Sequence, residues 1–496
     1  MNLLDIVIAL PAIAFLALLI IPAGLSRKAA LVLSLTIFLL SLGLIVPVSA
    51  NPAAYSFENN VPWIDTPAIR YHTGIDGLSL WLIVLSTLLT PLCVLVSWNH
   101  IQHRVKEYFA FLLLLEFGVI GVFAALDLFL FYVFWEVTLV PMYFLIGIWG
   151  HDRRIYATVK FFLYTMAGSV LMLVAILYLY TQAGTFDYPV LLKLLHEGRV
   201  SLSHDAQIYL FLAFFVAFAI KVPLWPLHTW LPDAHVEAPT AGSVMLASVM
   251  LKMGTYGIVR FCLPMFGNAS HELAPHIVTL ALIGISVGAL VAMVQPNMKK
   301  LVAYSSVSHL GFVVLGTFAF NQQGLDGAVY QMLSHGVSTG ALFMLVGFLY
   351  ERQHSLEIKA YGGVATVAPK LAVIFMITTL ASIGLPLLNN FVGEFLVLQG
   401  AAIVNIGWAA FAALGVIFSA CYMLWLYQRT FLGETPDDVR HHVTDINLRE
   451  LAAVMPLVIL MVWMGTATGG FLAPISGANA KILEQSQVHV EYRANR

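Results

Sequence analysis

The chain has 496 residues, of which 60% are hydrophobic and only 10% charged, and its formal net charge is −2. Soluble domains carry roughly 25% charged residues, so this composition excludes an ordinary soluble enzyme; the net charge says nothing about partners, and no stretch resembles a basic nucleic-acid patch. Three cysteines, Cys93, Cys262 and Cys421, fall in apolar runs; they are too few and too scattered for a disulfide framework or a four-cysteine cluster and read as small buried residues.

Apolar runs of about 20 residues recur along the chain, each long enough to cross a hydrocarbon layer of about 30 Å. Fourteen spans are expected, near 3–22, 29–48, 76–98, 107–126, 129–149, 160–181, 207–226, 240–263, 275–294, 300–320, 326–350, 370–404, 407–429 and 450–472. The first is not a cleavable signal peptide: no Lys or Arg precedes it, and Arg27 and Lys28 follow it. The loops are too short to fold as separate domains. In the most structured of them, 184–206, the segment FDYPVLLKLL (186–195) fits an amphipathic helix at the membrane interface. The expected fold is therefore an all-α polytopic membrane protein with about 14 transmembrane helices, forming a single transmembrane domain over 1–496.

Orientation follows from counting Lys and Arg in alternate loops. Loops after odd-numbered spans hold 15, among them Arg27, Lys28, Arg153, Arg154, Lys299, Lys300 and Arg352. The opposite side holds 7: Arg70, Lys193, Arg199, Arg260, Lys481, Arg493 and Arg496. The first set is expected to be cytoplasmic, with both termini outward, in the inner (plasma) membrane of a bacterial cell.

The spans also repeat. The fourth to eighth start near 107, 129, 160, 207 and 240, and the ninth to thirteenth near 275, 300, 326, 370 and 407. Five is an odd number of crossings, so the second unit (275–429) is inverted relative to the first (107–263), with 1–98 and 450–472 flanking. Inverted repeats are a transporter feature. The fourth helix of each unit is interrupted by proline, Pro223 and Pro226 in the first and Pro386 in the second. An intramembrane helix tolerates such a break where protein or a wet cavity satisfies the freed backbone groups, so both breaks are expected to face a polar interior.

The decisive feature is a set of ionisable residues inside apolar spans. Glu136 lies in FWEVTLVPMYFLIGIWG, Lys221 directly before the first break, Lys252 mid-span in GSVMLASVMLKMGTYGIVRF, and Glu394 just beyond the second break. His309 (AYSSVSHLGF) and His335 (MLSHG) join them, with Glu116 as a further candidate. A charge at a helix centre costs about 2.5–3.5 kcal/mol, and buried ion pairs are a poor source of stability. Function is the better explanation for four such residues. Alternating acids and bases suit proton relay: a desolvated lysine releases its proton readily when its carboxylate partner withdraws, and histidine donates and accepts near neutral pH. Glu136 beside Lys221 would form such a switching pair. In the loop KVPLWPLHTWLPDAH, His228, Asp233 and His235 read as helix capping or the membrane end of the relay; the spacing is poor for a metal. There is no GxxxxGK[ST] phosphate loop and no dinucleotide fingerprint. The energy must come from an ion gradient or from a redox partner.

The strings FWEVTLVPMYFLIGIWG, KVPLWPLHTWLPDAHVEAPTAGSVMLASVMLKMGTYG, AYSSVSHLGF and NNFVGEF resemble those of the antiporter-like subunits of NADH-quinone oxidoreductase, respiratory complex I, in particular the M type that corresponds to mitochondrial subunit 4. Parts of them are shared by Mrp-type antiporter subunits. The resemblance covers nearly the whole chain. An L-type chain would be expected to carry a long C-terminal lateral helix, whereas this chain ends about 24 residues after its last expected span. The resemblance implies a proton-translocating membrane-arm subunit that couples quinone reduction elsewhere in the complex to pumping. It implies Glu136 and Lys221 as the fifth- and seventh-helix pair, Lys252 as the connecting lysine and Glu394 as the terminal acid. No cofactor is expected in this chain, with flavin and iron–sulfur clusters in partner subunits, and L- and N-type chains and lipids as neighbours. One departure is Leu387-Leu388-Asn389-Asn390, where the family usually has glycine and small residues. A cation/proton antiporter subunit is the alternative, and a structural scaffold a third reading against which the intact charged set speaks.

Overall fold

An apolar helix occupies every expected run in the computed structural model, which describes residues 2–487; Arg493 and Arg496 lie outside the described residues. Twelve of these helices have the length and composition to cross a membrane. The chain is a mostly helical, multi-span membrane protein. Of the other runs, Met298–Thr317 is unbroken but richer in polar residues, and 369–404 consists of two shorter helices, Pro369–Ser382 and Asn389–Val404.

The helices start where short polar side chains can take up free backbone N–H groups. Asp76, Asp127, Asp187, Asn297 and Asn321 each accept a hydrogen bond from the first turn that follows. Asn2 with Asp5 and Asn447 with Glu450 close reciprocal capping boxes. The interface helix expected within 186–195 is Tyr188–His196, capped by Asp187. Residues 49–75, read as loop, contain an antiparallel hairpin, β1 (Ser56–Ile64) and β2 (Ile69–Ile75). It is the addition to an otherwise helical fold; Asn59-Asn60 and Pro62 in β1 hid the strand pattern. The last expected span, 450–472, is divided: Leu448–Thr466 ends, and Gly469–Ser486 continues as a separate helix.

Loops cluster at two ends. At one end the loops after odd-numbered spans hold one another: Arg27 donates to the Ile101 carbonyl, Lys106 to that of Leu19, and Arg352 pairs with Glu450. At the other end Asn2 donates to the Phe57 carbonyl in the hairpin, and Lys481 to that of Ala53 in the segment leading into it.

Burial sorts the helices. Thr240–Met265 and Gln322–Gln353 are buried over their entire apolar windows, whereas Ala23–Ala50 is only 28% buried. The first two form the central axis and carry Lys252 and His335. Glycine permits close approach beside this axis: a Cβ on Gly254 would lie 2.7 Å from the Phe218 carbonyl oxygen.

Both proline breaks are present. His204–Lys221 ends directly before Pro223, and helix resumes at Trp230. Pro369–Ser382 ends before Pro386, and helix resumes at Asn389. The first break is enclosed at its start, where Val222, Pro223 and Leu224 are buried, whereas Pro226 and Thr229 are exposed. The second differs from expectation: Leu385 and Leu387 are 42% and 70% exposed on the surface of the chain. Two features make this outward turn tolerable. The Leu385 and Leu388 N–H groups are satisfied within the turn, by the carbonyls of Leu380 and Leu385, and Pro386 has no N–H to satisfy. Cys421 also differs. It is exposed on the outer side of Ile406–Phe431, while Cys93 and Cys262 are buried as expected.

Candidate functional site

The ionisable residues fall into two clusters. The first surrounds Lys221, the last residue of its helix and fully buried. Its ammonium makes no hydrogen bond or ion pair among the described residues. It sits instead 5.5 Å from the centre of the Trp135 ring and 5.4 Å from that of Phe161. Aromatic faces hold a cation through the ring quadrupole. Glu136, next to Trp135, lies within electrostatic reach of Lys221 but forms no ion pair with it within 4.0 Å. Glu136 is also only partly buried, at the middle of Leu128–Trp149, although one carboxylate oxygen is enclosed and unpartnered. The expected direct Glu136–Lys221 contact is thus replaced by an aromatic cage with the carboxylate at its rim.

The second cluster is continuous. Lys252 is fully buried, and its ammonium donates to the Ala247 carbonyl at 2.5 Å and contacts His335 Nδ1 at 2.7 Å. The local helix explains the first contact. Residues Leu246–Met250 form a π-helical turn in which the Leu251 N–H reaches Leu246 rather than Ala247, which leaves the Ala247 carbonyl open to the lysine. Such turns recur at functional sites. His335 keeps Nε2 without a partner, and its ring centre is 5.7 Å from that of His309. His309 Nδ1 is 2.7 Å from Glu394 Oε1. Gln331 donates to the same carboxylate oxygen at 3.0 Å, and the Tyr422 hydroxyl lies 3.4 Å from His309 Nε2. The array Lys252, His335, His309, Glu394 therefore runs through the buried interior.

The structure brings Lys252, His309, His335 and Glu394 together as neighbours and leaves Glu136 and Lys221 as a separate, looser group. Glu116 is fully buried, and both its carboxylate oxygens lack a hydrogen bond. In the connecting loop Asp233 pairs with Lys160 at 2.7 Å, whereas His235 stacks on Phe343 with both ring nitrogens unpartnered. No group of three or more His, Cys, Asp or Glu placed to hold a metal ion occurs among the described residues.

Several residues escaped the sequence reading. Lys299, counted with the loops, is 2% exposed and donates to the Ala238 carbonyl at 2.7 Å. Arg260, also counted as a loop residue, is buried and holds Asp76 through two nitrogens, at 2.7 and 2.5 Å. Arg260 lies eight residues after Lys252, about 80° around the helix from it, so the spacing alone gave no clear signal. Nothing in the sequence distinguished Trp135, Phe161, Gln331 or Tyr422 from ordinary core residues. A cavity of about 230 Å³ opens at the basic end, lined among others by Arg153, Asp233, Glu237, Lys300 and Glu357.

Residues 125–420 match the family model described as NADH:quinone oxidoreductase/Mrp antiporter, TM, and residues 6–120 match that of NADH-ubiquinone oxidoreductase chain 4, amino terminus. The chain belongs to this family. It is 48% identical over 479 residues to NADH-quinone oxidoreductase subunit M of Rhodobacter capsulatus, covering 94% of this chain and 93% of that protein. Among solved structures, a chain of respiratory complex I from Thermus thermophilus with bound NADH superposes with a TM-score of 0.87 at 34% identity, covering 97% of this chain and 99% of the other. A chain of the Mrp complex from Dietzia sp. DQ12-45-1b superposes with a TM-score of 0.84 at 20% identity, covering 98% of each, and shares the fold. The match to subunit M of Rhodobacter capsulatus runs over nearly the full length of this chain.

Proposed function

We propose that this chain translocates protons in the membrane arm of a complex I type NADH:quinone oxidoreductase, driven by quinone reduction in other subunits. The observation that carries the reading is the buried array Lys252–His335–His309–Glu394. Its two end contacts are 2.7 Å each, short enough for direct proton transfer. The 5.7 Å ring separation between the histidines is bridged by ring rotation or one water. Lys252 supplies or accepts the proton at one end, and Glu394, oriented by Gln331 and His309, holds it at the other. Glu136 and Lys221 form the other switching unit. The aromatic cage keeps Lys221 free of hydrogen bonds, so its charge state depends on how close the Glu136 carboxylate stands.

The same reading organises the whole chain. Met298–Thr317 and the broken pair Pro369–Ser382 and Asn389–Val404 bring the spans to fourteen, arranged as two inverted five-helix units, 107–263 and 275–429, within one transmembrane domain. The basic end faces the cytoplasm of a bacterial cell and both termini face outward across the inner membrane. The cavity beside Lys300 is then on the uptake side. Glu136 and the exposed turn at Leu385–Leu387 lie where L- and N-type chains would cover them. Flavin and iron–sulfur clusters belong to partner subunits.

Mass spectrometry of the purified native complex tests this. Flavin- and cluster-bearing subunits are expected alongside this chain. Co-purification with small membrane subunits alone would overturn the proposal in favour of a cation/proton antiporter.

A further inference from the structure

The end of the molecule remote from the relay carries a polar cluster that the proton array does not use. His72 of β2 is 2% exposed, and both its ring nitrogens lie on carboxylates: Nδ1 is 2.9 Å from Asp187 Oδ2, and Nε2 is 2.9 Å from Glu58 Oε1. A neutral imidazole has one N–H and can donate to only one of these. The geometry therefore calls for the doubly protonated ring. The three residues come from three segments: Glu58 from β1, His72 from β2, and Asp187 from the cap of Tyr188–His196. The remaining polar groups facing the cluster are fixed. Asn60 donates to Asp187 at 3.1 Å and its Nδ2 also stands 3.3 Å from His72 Nδ1, a longer contact than either carboxylate makes, and the Arg70 guanidinium binds the Asn60 side chain. Asp127 takes the Arg70 N–H at 3.2 Å and caps Leu128–Trp149. The His72 carbonyl accepts the Leu126 N–H at 2.8 Å.

We propose that His72 is a proton-operated latch that fastens the β1–β2 hairpin to the helical body and releases it when the adjoining compartment becomes alkaline. Burial works against the charged ring, but the hydrogen bonds and charges of Asp187 and Glu58 outweigh it, so His72 holds its proton more tightly than a free histidine. Asp187 is correspondingly held below the usual carboxylate range against its own burial. For a group whose folded pKa is raised, the stabilisation is complete below the unfolded value near 6.5 and is lost as pH climbs through the folded value. The latch is closed below about 6.5 and opens as pH climbs through the raised folded value. With the hairpin on the outer face, acidification by pumped protons keeps it closed. The latch itself does not depend on which side of the membrane the hairpin occupies.

Hydrogen exchange of peptides covering 56–75 in the intact complex, corrected for intrinsic pH dependence, tests the proposal. Protection in the wild type is expected to fall with rising pH, with a midpoint above 6.5 and a loss on the order of tenfold, the worth of one hydrogen bond to a charged group. His72→Gln is expected to give low, pH-independent protection of 56–75, with 77–96 unchanged. Glu58→Gln keeps the Asp187 contact and removes one charge, so the midpoint should move down; this variant carries the test if His72→Gln does not assemble. Protection independent of pH in the wild type, or a midpoint unmoved by Glu58→Gln, would overturn the latch.

Discussion

Lys221 and Lys252 are both fully buried lysines, yet they are held in opposite ways. Lys252 has a carbonyl and a histidine as partners, whereas Lys221 has two aromatic faces and no hydrogen bond. The difference decides which substitution is informative. Arginine at 221 would keep the positive charge and stack well on Trp135 and Phe161, but guanidinium stays protonated at any accessible pH. Lys221→Arg is therefore expected to assemble and to lose NADH-driven proton uptake in inverted vesicles. Full pumping by the assembled variant would refute a protonation switch at 221. Gly254 gives a packing test that involves no charge. A methyl group there would stand 2.7 Å from the Phe218 carbonyl oxygen and 3.0 Å from the Val222 nitrogen. Gly254→Ala should cost about 1–3 kcal/mol by overpacking, read as a lower melting temperature of the purified complex, and an unchanged melting temperature would count against the close contact. At this scale the sequence was only partly legible. Buried acids, lysines and histidines stand out against apolar surroundings. The aromatic cage and Gln331 are invisible, because Trp, Phe and Gln occur in helices for many reasons. Lys299 and Arg260 looked like loop residues because they sit near helix ends, and only tertiary packing buries them.

The helices were readable because period and length are set by local chemistry. Caps such as Asp76, Asp127 and Asn297 mark starts, and apolar length marks extent. The two breaks were readable from Pro223 and Pro386, but the direction each break faces was not. That depends on neighbours: the first lies against the Lys252 helix, while the second is covered on its inner side by Gly465 at the Leu387 carbonyl and left open on its outer side. The hairpin was missed because β1 contains Asn-Asn and Pro, which are poor strand formers. Orientation across the membrane belongs to the elements as well. Arg153→Cys and Glu484→Cys lie at opposite ends on exposed residues, and native Cys421, exposed among the helices, is first replaced by serine. An impermeant thiol reagent applied to intact cells is expected to label 484 and spare 153. The reverse pattern would invert the proposed orientation.

Across the whole molecule, polar chemistry lies along the buried centre while the flanking helices present apolar surface. Ala23–Ala50 is mostly exposed on the chain's surface, and Gln322–Gln353 is wholly enclosed. That enclosed helix carries Gln331, Ser334, His335 and Ser338 against partners on two other helices: Lys252 on one, and Glu394 with the Asn389-Asn390 pair on the other. Each residue along a helix advances the side-chain direction by about 100°. A single-residue deletion between 322 and 330 would swing every one of these groups to a different side at once, with no exposed stretch in which to absorb the slip. Length in this segment should therefore be far less free to drift among related chains than residue identity on the lipid-facing helices, and an insertion or deletion here would separate lineages more sharply than many point changes elsewhere.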